Sequence, residues 1–312
     1  MLHKFYFSIT LLLLLFVPST QAFASDTVRV FILAGQSNMV GAGEVESNPS
    51  RNDGKGSLQW LTKNLSTKDT YSPLKTDTGA WVQRDDVLIW FLDRNGPLKP
   101  GYGSNQKKIG PELGFGWVVG DAFEEPVLLI KLAWGGKSLA ADFRPPSLEG
   151  DTGPYYVEII EKTKEILNTA DQLFHQLKGK TVELTGFGWH QGWNDRINQS
   201  FNDAYEENMI QFIKDIRYDL GKPTLPFVIA ETGMSGPKEK HPRALSLMAA
   251  QKAVADYPDF NQNVAFVPTQ ELYRPSDDSP SKQAYHWNNN AETYYLIGKH
   301  MGEAMLTLLE FE

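Results

Sequence analysis

The feature that most limits what this chain can fold into is a series of continuous apolar runs, each ended by glycine or a polar turn. Residues 28–34 (VRVFILA) stop at Gly35, Val127–Ala133 (VLLIKLA) runs into Gly135-Gly136, and residues 182–189 lead into a polar turn. Residues 226–230 (PFVIA) and Val264–Val267 are shorter runs of the same kind, and residues 87–92 (VLIWFL) are a further candidate. Apolar runs without alternation are what strands buried on both faces require. Between them lie stretches with helical character: residues 111–123, opening on a proline, 155–177, 201–220, 243–255 and 291–309. Strands alternating with helices predict an α/β chain with a parallel sheet covered on both faces. Residues 44–78 and 93–110 are polar and rich in turn formers, and are read as a surface excursion and a loop.

Open parallel sheets collect ligands at the carboxyl ends of their strands. The rule points to residues 35–38, 135–137, 190–195 and 231–233, where polar side chains gather after apolar runs.

The chain begins with Lys4, an apolar stretch centred on residues 11–15, and Ala22-Phe23-Ala24. This is the order of an export signal cleaved after Ala24, which leaves residues 25–312 as a single catalytic-size domain, secreted or periplasmic. The apolar stretch falls short of the ~20 residues a membrane span needs. There is no cysteine, hence no disulfide framework and no thiolate chemistry. The formal charge of −8 becomes more negative once Lys4 is removed, which argues against nucleic acid or an anionic membrane as partner. Eight Trp and twelve Tyr serve core packing first, and stacking on sugar rings where exposed.

Gly35-Gln36-Ser37-Asn38-Met39 follows the first run. A serine at a tight strand-to-helix turn exposes its hydroxyl and aims its own N–H into the same space, as an acyl-transfer nucleophile needs; a serine helix cap satisfies the same pattern. No G-x-S-x-G elbow is present, which speaks against an ordinary α/β-hydrolase. Gly135-Gly136 offers backbone N–H groups free of side chains, and Trp189-His190-Gln191-Gly192-Trp193-Asn194-Asp195 carries amide side chains beside a glycine. His190 has no second metal ligand at helical or hairpin spacing and reads as structural or substrate-facing. His286, just before the last helix, can reach back across the top of the sheet to a serine on the first strand; a cap or core contact satisfies the same position. Gly114 to Gly120 looks like a nucleotide loop with the wrong spacing, and is read as close helix packing.

Taken together, Gln36-Ser37-Asn38-Met39, Gly110-Pro111-Glu112-Leu113, Gly135-Gly136-Lys137-Ser138, Trp189-His190-Gln191-Gly192 and the late His286 resemble the sialate O-acetylesterase-like branch of the SGNH hydrolases, which includes carbohydrate esterase family 6. The resemblance spans nearly all of the chain after Ala24. It implies a three-layer α/β/α sandwich with a mainly parallel five-stranded sheet, and hydrolysis of acetyl esters on carbohydrate (acetyl xylan, another polysaccharide, or sialic acid) without cofactor or metal. It further implies Ser37 as nucleophile, His286 as base, and an oxyanion hole of the Ser37 and Gly136 N–H groups with a side chain of the 190–195 turn. Gln191 and Asn194 both fit that last place. Gln36, His190 and Arg144 are candidate substrate contacts; Arg144 suits either a sugar carboxylate or the fixing of its own loop.

The chain departs from the family at the acid. Gln283 stands three residues before His286, and Trp193 stands where some relatives carry glutamate. Asp195, Asp277 and Asp278 are the nearest substitutes, and a Ser-His dyad is the alternative. Two competing functions follow: a lipase or arylesterase on the same site, and a glycan-binding relative without turnover.

Overall fold

The computed structural model describes residues 26–260 and 262–310. The export-signal segment lies outside the described residues. Seven strands form the central sheet: β1 Thr27–Gly35, β2 Arg84–Phe91, β3 Arg94–Leu98, β4 Val127–Ala133, β5 Thr181–His190, β6 Phe227–Ala230 and β7 Val264–Val267. Their order is β3-β2-β4-β1-β5-β6-β7, and all pairings are parallel except the β2–β3 hairpin. Five longer helices cover it: α1 Glu112–Ala122, α2 Pro154–Leu173, α3 Tyr205–Asp219, α4 Pro242–Ala255 and α5 Ala291–Leu309.

Strand parity divides the core. Phe31 and Leu33 of β1 face one side, with Leu113, Phe115 and Val119 of α1 and Tyr295, Met301 and Met305 of α5. Val28, Val30, Ile32 and Ala34 face the other, with Ile159 of α2, Phe212 of α3 and Leu247 of α4. Because side chains alternate along a strand, both parities must be apolar, which is why these runs show no alternation. The result is a three-layer α/β/α sandwich.

Two expectations are corrected. The sheet has seven strands rather than five: residues 94–98 (RNGPL), read as loop, form the antiparallel edge strand β3. A short edge strand holding glycine and proline has no hydrophobic pattern to betray it, and proline is tolerated there because one side of an edge needs no donors. Residues 44–78 are also more than surface: Leu58, Leu61, Tyr71 and Leu74 are buried in the core on the α5 side, and Tyr71 meets Tyr295 edge-on at 5.3 Å.

The glycines around Gly114 do serve close packing. A side chain at Gly114 would meet the Tyr295 carbonyl at 2.0 Å, and one at Gly298 the Pro111 carbonyl at 1.8 Å, so α1 and α5 cross nearly backbone to backbone. Lys131 of β4 has the parity of the α1 face, and there it pairs with Glu112 in the first turn of α1 at 2.7 Å; both are fully buried.

Candidate active site

β1 ends where the chain must turn hard against its neighbour. Gly35 has φ of +150°, and a side chain there would lie 2.3 Å from the His190 carbonyl. Gln36 follows, then the single helical turn Ser37–Val40. Ser37 opens this turn and is half-buried, so its N–H belongs to the first turn, where no intrahelical acceptor exists. Gly136, after β4, takes φ of +70°, and no atom lies within 4 Å of where a side chain would sit. Among the described residues neither the Ser37 nor the Gly136 N–H has an acceptor.

Buried Gln36 gathers these pieces. Its Oε1 accepts the N–H groups of Gly192 at 3.1 Å and Asn194 at 3.2 Å, and its Nε2 donates to Asn194 Oδ1 at 3.3 Å. Asn194 Nδ2 donates to the Gly136 carbonyl at 2.8 Å. One amide hydrogen of Asn194 is left without an acceptor among the described residues. The turns after β1, β4 and β5 are thereby joined into one rim with unfilled donors, the chemical requirement for holding a developing oxyanion.

Gln191 is placed differently. Its Nε2 donates to the Lys137 carbonyl at 3.0 Å and to Asp195 Oδ2 at 2.5 Å, so both hydrogens are engaged inside the protein. Its carbonyl accepts from Tyr205, Thr232 and Gln251 at 2.9–3.1 Å, which locks the 190–192 turn. Asp195, fully buried, accepts the N–H groups of Leu139 at 2.8 Å and Ala140 at 2.9 Å; burial pushes its carboxyl up to about 6. His190 is buried with Nδ1 3.4 Å from the Ala230 carbonyl and its ring stacked at 6.4 Å from Trp287; burial pushes it down to about 4. Arg144 donates to the carbonyls of Ala140 at 2.8 Å and Glu149 at 3.1 Å, the bonding of an arginine that fixes its loop.

His286 lies half-buried in the loop between residues 284 and 289. Asn38 Nδ2 donates to the Tyr285 carbonyl at 3.1 Å, so Ser37 and His286 are each one residue from the two ends of a single hydrogen bond. The imidazole is lowered from its ordinary value by burial alone; no charged group contributes. Among the described residues no carboxylate bonds to it: Asp195 is bound as above, and exposed Asp278 pairs with Lys55 at 3.2 Å. Tyr285 lies against the imidazole at 4.6 Å and against Trp193 at 5.8 Å, forming an aromatic wall. On the other flank, beside Val40 and Gly135, opens a groove of about 560 Å3 lined also by Trp134, Lys137, Tyr155 and Gln106. The residues that sequence reasoning passed over are Asn38, Tyr294 and Trp134; Asn38 stood inside a quoted motif but had no role until its partners were visible.

The family described as carbohydrate esterase, sialic acid-specific acetylesterase matches residues 27–307. A probable carbohydrate esterase of Arabidopsis thaliana is 24% identical over 205 residues, covering 64% of this chain and 67% of that protein. Among solved structures, an Arabidopsis thaliana protein superposes with a TM-score of 0.60 at 18% identity, over 89% of this chain and 98% of its own. NanS gives 0.59 at 15% identity, over 92% and 99%. A carbohydrate acetylesterase from Xanthomonas citri gives 0.50 at 15% identity, over 91% of this chain and 57% of that one. These structural likenesses show a shared fold.

Proposed function

Because the chain belongs to the sialic acid-specific acetylesterase family of carbohydrate esterases, we propose that it is an exported serine esterase that removes O-acetyl groups from carbohydrate, with Ser37 as nucleophile and His286 as base. The observation that carries this reading is the rim of unfilled donors built around Ser37 by Gln36, Gly136 and Asn194.

His286 takes the Ser37 proton as Oγ attacks the acetyl carbonyl. The oxyanion rests on the N–H groups of Ser37 and Gly136 and on the remaining amide hydrogen of Asn194. The C–O bond to the sugar breaks, His286 returns the proton to the leaving sugar oxygen, and Ser37 carries the acetyl group. Water, deprotonated by His286, then releases acetate and restores Ser37. Gln191 and Asp195 support the turn from behind it. The sugar lies in the groove beside Val40 and Gly135, where Trp134 and Tyr155 offer ring faces and Gln106 and Lys137 offer polar groups. The family supports an acetylated carbohydrate as substrate class.

The test is hydrolysis of 4-nitrophenyl acetate by the chain from Ser25 onward beside Ser37→Ala and His286→Ala, followed by acetate release from acetylated xylan and acetylated sialic acid. Turnover that collapses in both variants supports the site. Faster cleavage of an octanoyl than an acetyl ester would give the lipase reading precedence. A wild type that releases no acetate and does not react with a fluorophosphonate would leave a glycan-binding protein.

A further inference from the structure

The two backbone carbonyls on either side of the His286 Cα are tied to the Ser37 turn. Asn38 Nδ2 donates to the Tyr285 carbonyl at 3.1 Å. The Tyr294 hydroxyl, on the first turn of α5, shares its hydrogen between Asn38 Oδ1 at 2.9 Å and the His286 carbonyl at 3.3 Å. Asn38 and Tyr294 are both buried and the bond between them is buried, so the donors of this network are shielded from bulk water. Both ends of the Asn38 amide are used, and Asn38 directly follows Ser37. Beyond His286 the backbone passes through three consecutive left-handed residues, Trp287, Asn288 and Asn289, with φ of 52°, 54° and 58°. A bulky tryptophan in that region is a backbone outlier, which persists only where surrounding contacts impose it. Asn288 is imposed upon in this way: its Nδ2 donates to the Tyr273 hydroxyl at 3.1 Å and the Arg274 carbonyl at 3.0 Å.

In a Ser-His-Asp site the carboxylate holds the imidazole in place and stabilises its charged form. Among the described residues no carboxylate bonds to His286, yet the chain around it is held at the Tyr285 and His286 carbonyls and at the Asn288 side chain. We propose that Asn38 and Tyr294 are positioning residues that form an uncharged clamp, fixing His286 against Ser37 in place of the acid. The clamp performs only the orienting half of the acid's work. It adds no negative charge beside the imidazole, in keeping with a base lowered by burial alone. This inference rests on the Ser37–His286 reading.

The experiment uses the full domain with Tyr294→Phe, which keeps the ring packing, Asn38→Ala and the double variant. Three quantities are read: kcat and KM for 4-nitrophenyl acetate across pH, the melting temperature, and the His286 imidazole titration by NMR, its signal assigned by loss in His286→Ala. Each single variant is expected to lose roughly 10- to 100-fold in kcat with KM little changed, the cost of a misplaced catalytic group. The double variant should lose no more than the worse single, because both act through one network. A loosened loop admits water to the imidazole, so its titration and the acid limb of kcat should move up toward the ordinary histidine value. A lower melting temperature with unchanged kcat and unchanged titration would mean the contacts only stabilise the fold, and the clamp would be overturned. If wild type proves as inactive as Ser37→Ala, the esterase reading fails separately. The titration then decides the clamp alone: an upward move in Tyr294→Phe supports it, and an unmoved imidazole sinks it.

Discussion

The carboxylate of Asp195 accepts the backbone N–H of Leu139 at 2.8 Å, and its second oxygen accepts that of Ala140 at 2.9 Å. The acid nearest in sequence to the 190–194 turn therefore anchors the loop after β4, the loop that carries Gly136. In the proposed mechanism it acts only through the shape of the turn that carries Gly136. The same burial that makes it an anchor also gives it an unusual titration.

Asp195 and His190 should pull the stability of the fold in opposite directions over the same pH range. A carboxyl pushed up to about 6 from an ordinary 3.8 holds its proton more tightly when folded. Its contribution is full below pH 3.8 and is lost as pH rises through about 6. His190, pushed down to about 4 from 6.5, resists protonation when folded, so its contribution is full above pH 6.5 and is lost as pH falls through about 4. Each amounts to roughly 3 kcal/mol across its window, and the two nearly offset. Thermal unfolding between pH 4 and 6.5 should separate them. Asp195→Asn should become steeply less stable toward pH 4, and His190→Gln steeply less stable toward pH 6. Variant curves parallel to wild type would refute the assignment.

Asn194 and Gln191 should part on kinetics against stability. Asn194 retains an amide hydrogen with no acceptor among the described residues, whereas both hydrogens of Gln191 are bound. Asn194→Ala should lose on the order of 10²–10³ in kcat, as removal of an oxyanion donor does, with little change in KM. Gln191→Ala should chiefly lower the melting temperature, because it leaves the Tyr205 hydroxyl and the Asp195 carboxylate short of a buried partner. The reverse pattern would move the donor role to Gln191.

The buried pair of Lys131 and Glu112 offers a sharper stability test. Lys131 Nζ also donates to the carbonyls of Val40 and Tyr102, both at 2.8 Å, and so holds the end of the Ser37–Val40 turn. Lys131→Met leaves Glu112 buried without its cation and should cost about 3–5 kcal/mol, while Lys131→Met with Glu112→Leu should recover much of it. Denaturant unfolding of the two variants measures the difference. A single variant as stable as the double would show that Glu112 finds another partner.

What sequence reading reached follows from how each element is built. β4 and β7 were bounded to the residue, and β1, β5 and β6 to within a residue or so, because a strand buried on both faces must be apolar throughout. β3 escaped because an edge strand of RNGPL needs no such pattern. The helix expected over residues 201–220 is broken at Ala204 into Gln199–Asp203 and α3, a break no periodicity marked. At the candidate site, strand ends pointed to the turns that hold Ser37, Gly136 and Asn194, while the roles proposed for these residues came from the family resemblance. The proposed preference for Asn194 over Gln191 rests on the amide hydrogen each leaves over, which no sequence pattern records. The Asn38–Tyr294 contact joins residues 256 apart, and nothing local in the chain records it.

On the proposed function, the groove beside the Ser37–Val40 turn predicts which part of the substrate controls affinity. Trp134 stands at its wall, its ring 4.9 Å from Tyr155, and Lys137 lies over the Tyr155 ring at 4.4 Å. A small aryl ester meets only Ser37 and the oxyanion rim, so its turnover does not draw on this wall. A sugar chain extending from the acetyl group reaches it, and stacking there contributes about 0.5–1.5 kcal/mol beyond the area buried. Trp134→Ala should therefore raise KM for an acetylated xylo-oligosaccharide roughly tenfold, with the contact and buried area lost together. It should leave kcat for that substrate and both constants for 4-nitrophenyl acetate near wild type, because the interaction is equal in ground and transition states. Steady-state kinetics on the two substrates, with the melting temperature as control for the lost packing on Phe143, decides it. Equal losses on both would place Trp134 in the support of the Gly136 turn, and the sugar would then have to lie along the opposite flank, against Trp193 and Tyr285.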